Sequence, residues 1–170
     1  DIDVFRCIEV GSMWLELLQK IQDAIERSGF DGQVKLGFLN PKNAGIDEFG
    51  MVFLGRGECS PIDDQVHNMI SQEFYVETWT RGDEADFEKA YEAIAMLEGL
   101  IERVMTKFRA DCGELNPDVC ILPNSGFQIV DIRCTSKVDD RDTMRPFIGT
   151  QYRFEARMYD LNQDTIVGIC

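Results

Sequence analysis

Apolar residues recur along this chain with two periods, and the period switches several times. Trp14, Leu17, Leu18, Ile21, Ala24 and Ile25 fall at helical spacing, with Lys20, Asp23, Glu26 and Arg27 on the other face. Ser12 stands where an N-cap hydroxyl is wanted, and Gly29 where a left-handed residue ends a helix. A second stripe, Phe87, Ala90, Tyr91, Ile94, Leu97, Ile101, Val104, Met105 and Phe108, predicts a long helix over Asp83 to Arg109. Asp83, Glu84 and Asp86 suit the positive end of its dipole, and Lys107 and Arg109 the negative end.

Between and after these helices the period falls to two. Val34 to Leu39 and Met51 to Leu54 read as short strands. Glu73 to Thr80 carries bulk on both faces, with Tyr75 and Trp79 opposite Phe74, Val76 and Thr78, which predicts a central strand. Phe127 to Thr135 is a further strand. Thr150 to Tyr159 alternates most clearly, with Tyr152, Phe154, Ala156 and Met158 against Gln151, Arg153, Glu155 and Arg157. Gly55 to Ser71 shows no sustained period and reads as a long loop. Asp111 to Ser125 reads as irregular, Ser136 to Pro146 as a charged connection, and Thr165 to Ile169 as a final edge strand. The order predicts a single α+β domain over residues 1–170. Its mostly antiparallel sheet has two amphipathic helices packed on one face, and residues 1–10 form an arm or edge strand.

Charge narrows the choice of partners. Lys and Arg number 17 against 31 Asp and Glu, a net charge of −14. That field favours solubility and repels nucleic acid and anionic membranes. No segment has the length of apolar sequence a membrane span needs, and no signal peptide opens the chain. The six cysteines form no Cys-x-x-Cys pair, so buried free thiols in a reducing cytoplasm are expected.

Catalytic chemistry finds little support. His67 is the sole histidine. Asp63 and Asp64 stand near it to orient an imidazole, with Ser71 or Cys59 as nucleophiles, but the group lies in an unpatterned loop. Asp139, Asp140 and Asp142 lack the glycine and closing glutamate of a calcium loop. Gly55-Arg56-Gly57 lacks the lysine of a phosphate loop. The reading is therefore a non-enzymatic chain with no cofactor and no metal site. Six apolar residues outside the predicted core, Ile46, Phe49, Ile62, Val66, Met69 and Phe147, are the candidate interface.

The element order, helix Trp14 to Ser28, strand Val34 to Leu39, strand Phe74 to Arg81, helix Asp83 to Arg109 and strand Gln151 to Tyr159, resembles that of the tail-terminator, or tail-completion, proteins of long-tailed bacteriophages. The resemblance covers most of the chain, from Met13 to Tyr159, and rests on order and length without a short motif. It implies a structural virion protein made in the host cytoplasm and built into the tail or neck. Its copies would form a hexameric ring that caps the tail-tube protein and meets the head-neck connector. DNA would pass through an acidic lumen without specific binding. Loops Asn40 to Phe49 and Gly55 to Ser71 would make the ring and tube contacts. Another head-tail completion or neck-adaptor protein is the nearest alternative, and a small ligand-binding or hydrolytic domain using the His67 loop is a third.

Overall fold

The computed structural model describes residues 13–62 and 69–162. Among them are α1 (Met13–Arg27), β1 (Gln33–Leu36), a 3-10 turn (Pro41–Asn43), β2 (Met51–Pro61) and β3 (Met69–Arg81). Then follow α2 (Phe87–Gly113), α3 (Pro117–Cys120), β4 (Ile121–Leu122), β5 (Phe127–Asp139) and β6 (Phe147–Asp160). The strands form one curled sheet in the order β1-β2-β3-β6-β5-β4. Among the described residues only β1 and β2 pair in parallel, so the α+β class and the mostly antiparallel sheet are as the periods predict.

The two helical stripes find their partners in the sheet. Leu17, Ile21 and Ile25 of α1 and Leu97, Ile101 and Met105 of α2 share a cluster with Val52, Leu54, Phe74, Val76, Tyr152 and Phe154. Removing that apolar area from water, at about 25 cal/mol per Å², is the main term favouring this arrangement. The alternate residues of β2 and β3 point the other way. Met51, Phe53 and Trp79 meet Ile46, with Ala44, Met144 and Phe147 packed against them. This second cluster explains why Glu73 to Thr80 reads as bulky on both faces. The strand is central, between β2 and β6. Trp79 lies over Gly149, where a Cβ would fall 2.6 Å from its ring.

Several boundaries differ from the sequence reading, each for a local reason. The helix expected from Asp83 starts at Phe87. Asp83 instead accepts the amide of Ala85 at 2.9 Å in a turn, and Asp86 is the cap, accepting from Lys89 N at 3.4 Å. It runs past Arg109 because Cys112 continues the Met105 and Phe108 stripe, and Leu115, at φ 58, ends the run. Asp111 to Ser125 is accordingly not irregular throughout. It holds the last turn of α2, then α3 and β4.

The largest correction concerns Gly55 to Ser71. Its outer parts are the paired ends of β2 and β3, with Cys59 opposite Gln72 and Pro61 opposite Ile70. A bulge between Arg56 and Cys59 shifts the period, so no alternation survives along the sequence. Gln72, 2 % exposed, fills the bulge and donates its amide to the carbonyl of Gly57 at 3.1 Å. Residues 63–68, including His67 and Val66, lie outside the described residues, as do 1–12 and 163–170. The predicted N-terminal arm and the Thr165 to Ile169 strand fall there too.

The expectation of free thiols also needs correction. Cys59 is disulfide-bonded. Linear spacing cannot show which cysteines meet in space, and the compartment argument gave the wrong answer at this position. Cys112 and Cys120 are buried free thiols and Cys134 is an exposed one. Burial pushes the Cys112 thiol up to about 12. Brief iodoacetamide treatment at pH 7.5 should therefore label Cys134 and spare Cys112, while Cys59 labels only after reduction. Peptide mass spectrometry reads all three sites, and labelling of Cys59 without reductant would contradict the assignment.

Candidate interaction surface

The six apolar residues singled out by sequence do not gather into one surface. Ile46 is 3 % exposed and belongs to the Met51, Phe53 and Trp79 cluster, and Phe147 packs against the same cluster. Ile46 is therefore internal, and Phe147 is half-buried. The loop from Asn40 folds back over Met51, Phe53 and Trp79, and Asn40 fixes its start by accepting the amide of Lys42 at 3.0 Å. Ile62 and Met69 are half-buried and extend the β2-β3 ladder, Ile62 N donating to Met69 O at 3.0 Å. Phe49 alone of the described five is well exposed, at 52 %. Val66 lies outside the described residues.

The structure exposes a different apolar group. Leu36 ends the edge strand β1 and Phe38 and Leu39 follow it, with 37 %, 44 % and 48 % of their surface open. The sequence reading extended that strand to Leu39 and so counted these residues into the sheet. Gly37 is the reason it stops early. At φ +88 it adopts a conformation that favours glycine, and it donates its amide to Leu54 O at 2.7 Å. The chain then swings Phe38 across β2 to the face away from α1. There its ring covers Gly55, where a Cβ would overlap it, and meets Tyr75 edge-on at 6.2 Å. A glycine in left-handed backbone beside Phe38-Leu39 was the one available signal, and periodicity alone passes over it.

Charged residues gather elsewhere, where α2 meets β5 and β6. Lys137 Nζ lies 3.1 Å from Glu98 and 2.8 Å from Glu102. The Tyr152 hydroxyl donates to Glu102 at 2.9 Å, and the Thr150 hydroxyl donates to Glu98 at 2.5 Å. Hydrogen bonds from Lys137 and then Tyr152 hold the Glu102 carboxyl below its ordinary value. The bond to Glu102 raises the Lys137 ammonium, while burial first and Glu102 second raise the Tyr152 phenol. Nearby, burial would raise Asp131, but hydrogen bonds from Arg133 and Arg109, each 2.8 Å, outweigh it and leave the carboxyl lowered.

These groups stabilise one another's charged forms, which suits a fastening between helix and sheet. A half-open cavity of about 290 Å³ lies beside the network, lined by Met105, Ile132, Tyr152 and Phe154 with Lys137, Glu102 and Cys134. A larger groove of about 490 Å³ separates α1 from the end of α2 and carries both signs of charge, Lys20 and Lys107 with Asp23 and Asp111. Among the described residues no group of three His, Cys, Asp or Glu side chains is placed to hold a metal. Among the same residues no helix is long and apolar enough to cross a membrane. In comparison with known proteins, no family model matches this chain, and no curated protein matches it in sequence.

Proposed function

We propose that this chain is a structural assembly subunit, of the tail-terminator kind, that works by burying surface between copies of itself. In that role a ring of subunits, six by the resemblance, caps a phage tail tube, joins it to the head-neck connector and lets DNA pass through its lumen. Its place is the tail or neck of the virion, and it catalyses nothing. The carrying observation is the open apolar corner at the sheet edge, Leu36, Phe38 and Leu39, on a chain whose net charge of −14 otherwise favours water. Apolar side chains left exposed at the sheet edge cost free energy in water, and burial against a neighbouring subunit would remove that cost. The reading includes a layered fold in which α1 and α2 cover one face of the sheet, and the core they share with β2, β3 and β6 supports it.

The network of Lys137, Glu98 and Glu102 fits the same picture. It fastens α2 to the sheet, so that the subunit meets its neighbours as a rigid body. An acidic lumen would let DNA slide through, because like charges oppose adhesion.

Purified tail tubes of a long-tailed phage offer the test. Negative-stain microscopy after mixing should show density at one end of each tube and an end to tube growth. Binding along the tube wall, or none at any ratio, would count against a terminator role.

A further inference from the structure

We propose that the hollow between α2, β5 and β6 binds a small zwitterion with one apolar side chain, of the size of a free aliphatic amino acid. The site lies across the sheet from the Leu36, Phe38 and Leu39 edge and does not depend on assembly.

The cavity holds about 290 Å³, at the lower end of ligand-binding cavities, so its occupant is small. Met105, Ile132, Tyr152 and Phe154 line it, and each is at most 5 % exposed. These four belong to the main core, which fixes the shape of the hollow and makes its deep end apolar.

The charged groups lining the same cavity are exposed and only partly used. Glu102 spends one oxygen, Oε1, on both of its bonds, from Lys137 at 2.8 Å and from the Tyr152 hydroxyl at 2.9 Å. Its Oε2 accepts no hydrogen bond among the described residues. Arg109 donates through Nε to Asp131 at 2.8 Å, and its two terminal nitrogens donate to nothing among those residues. Lys137 is held between Glu98 at 3.1 Å and Glu102, and Asp131 between Arg109 and Arg133. The cluster is therefore balanced, with Lys137, Arg109 and Arg133 set against Glu98, Glu102 and Asp131.

That balance selects the ligand. A simple anion drawn to Arg109 is opposed by Glu102, and a simple cation meets the reverse. A molecule carrying both charges is matched at both ends. Its ammonium donates to Glu102 Oε2, and its carboxylate accepts from the Arg109 guanidinium. The apolar side chain then leaves water for the hollow. Length agrees with this. Glu102 and Arg109 are seven residues apart on α2, about 10.5 Å along the helix axis. One residue with a hydrogen bond at either end spans about 9 Å, and two long side chains can close the difference. A segment within a protein chain has neither terminal charge, so the free amino acid is the occupant. Solvent screens both exposed charges, so the binding is weak.

Titration of the isotope-labelled chain with L-leucine, followed by amide chemical shifts, tests the site. Saturable shifts at Ile132 and Cys134 are expected. N-acetyl-L-leucine lacks the ammonium and L-leucinamide lacks the carboxylate, so each should bind about tenfold more weakly. Arg109→Gln should weaken L-leucine by a similar factor and leave L-leucinamide unchanged, a split that loss of structure alone does not produce. Cys134 is exposed and lines the cavity, so Cys134→Phe should fill the hollow and abolish the shifts, with circular dichroism showing an intact fold. No shift at Ile132 up to the solubility limit of L-leucine would overturn the site. Equal binding of the three ligands would overturn the pairing with Glu102 and Arg109.

Discussion

Replacing Phe74 by alanine should destabilise the protein by about 3–5 kcal/mol. Phe74 is 1 % exposed, in the middle of β3, with its ring stacked on Phe154 at 5.3 Å and 13° between planes. β3 pairs along its length with β2 on one side and β6 on the other. Truncation there removes the transfer energy of a whole ring and leaves a cavity that paired strands on both sides cannot close. For a chain of this size the melting temperature should fall by about 10 °C. Tyr75→Ala is the comparison, because its ring lies half-buried on the opposite face, against Phe38. It should cost clearly less. Urea unfolding of both variants measures the difference, and equal losses would contradict the burial of Phe74 in the main core.

The second large effect is expected at Glu16, a carboxylate 7 % exposed on α1. One of its oxygens accepts the amide of Asn124 and the other that of Ser125, both at 2.9 Å. The side chain thus fixes the β4-β5 turn to a helix 108 residues earlier in the chain. Alanine at this position leaves two amides without an acceptor. At about 1–3 kcal/mol for each unsatisfied buried group, a loss of about 3 kcal/mol is expected. Glu16→Gln keeps one acceptor oxygen but presents an amide donor to the second N–H, so its loss should lie between wild type and alanine. Hydrogen exchange at Asn124 and Ser125 should quicken in the alanine variant. Unchanged exchange, with a loss under about 0.5 kcal/mol, would mean that the turn holds without its carboxylate.

Strong periods made part of this fold legible. Leu17, Ile21 and Ile25 announce α1, and Tyr152 to Met158 announce β6, because each buries one face and wets the other. The β2-β3 hairpin was hidden by a device that breaks period. The bulge at Gly57 moves every later side chain by one position, and the polar Gln72 that fills it looks like a loop residue. Glu16 was equally hidden, since a glutamate on a helix reads as solvated until the distant turn it caps is known.

Burial of the apolar residues outside the periodic segments was less legible. Ile46 and Phe147 stand in segments without period and so seemed available for sharing. In the folded chain Ile46 is buried in a second small core with Trp79, and Phe147 packs half-buried against it. Phe38 and Leu39 seemed internal because they continue an apolar run. Gly37 turns them outward, and that turn depends on one backbone angle the pattern does not encode. Apolar character alone therefore did not separate buried from exposed positions. The separation came from which loops fold back on the sheet.

Light scattering of the purified chain, over a wide range of concentration, bears most directly on whether its copies share the greasy sheet edge. Association to a closed particle near six times the 19.4 kDa subunit mass, abolished by Phe38→Ser/Leu39→Ser with the fold intact, is the result expected. A particle of single-subunit mass at all concentrations, tail tubes included, would contradict it.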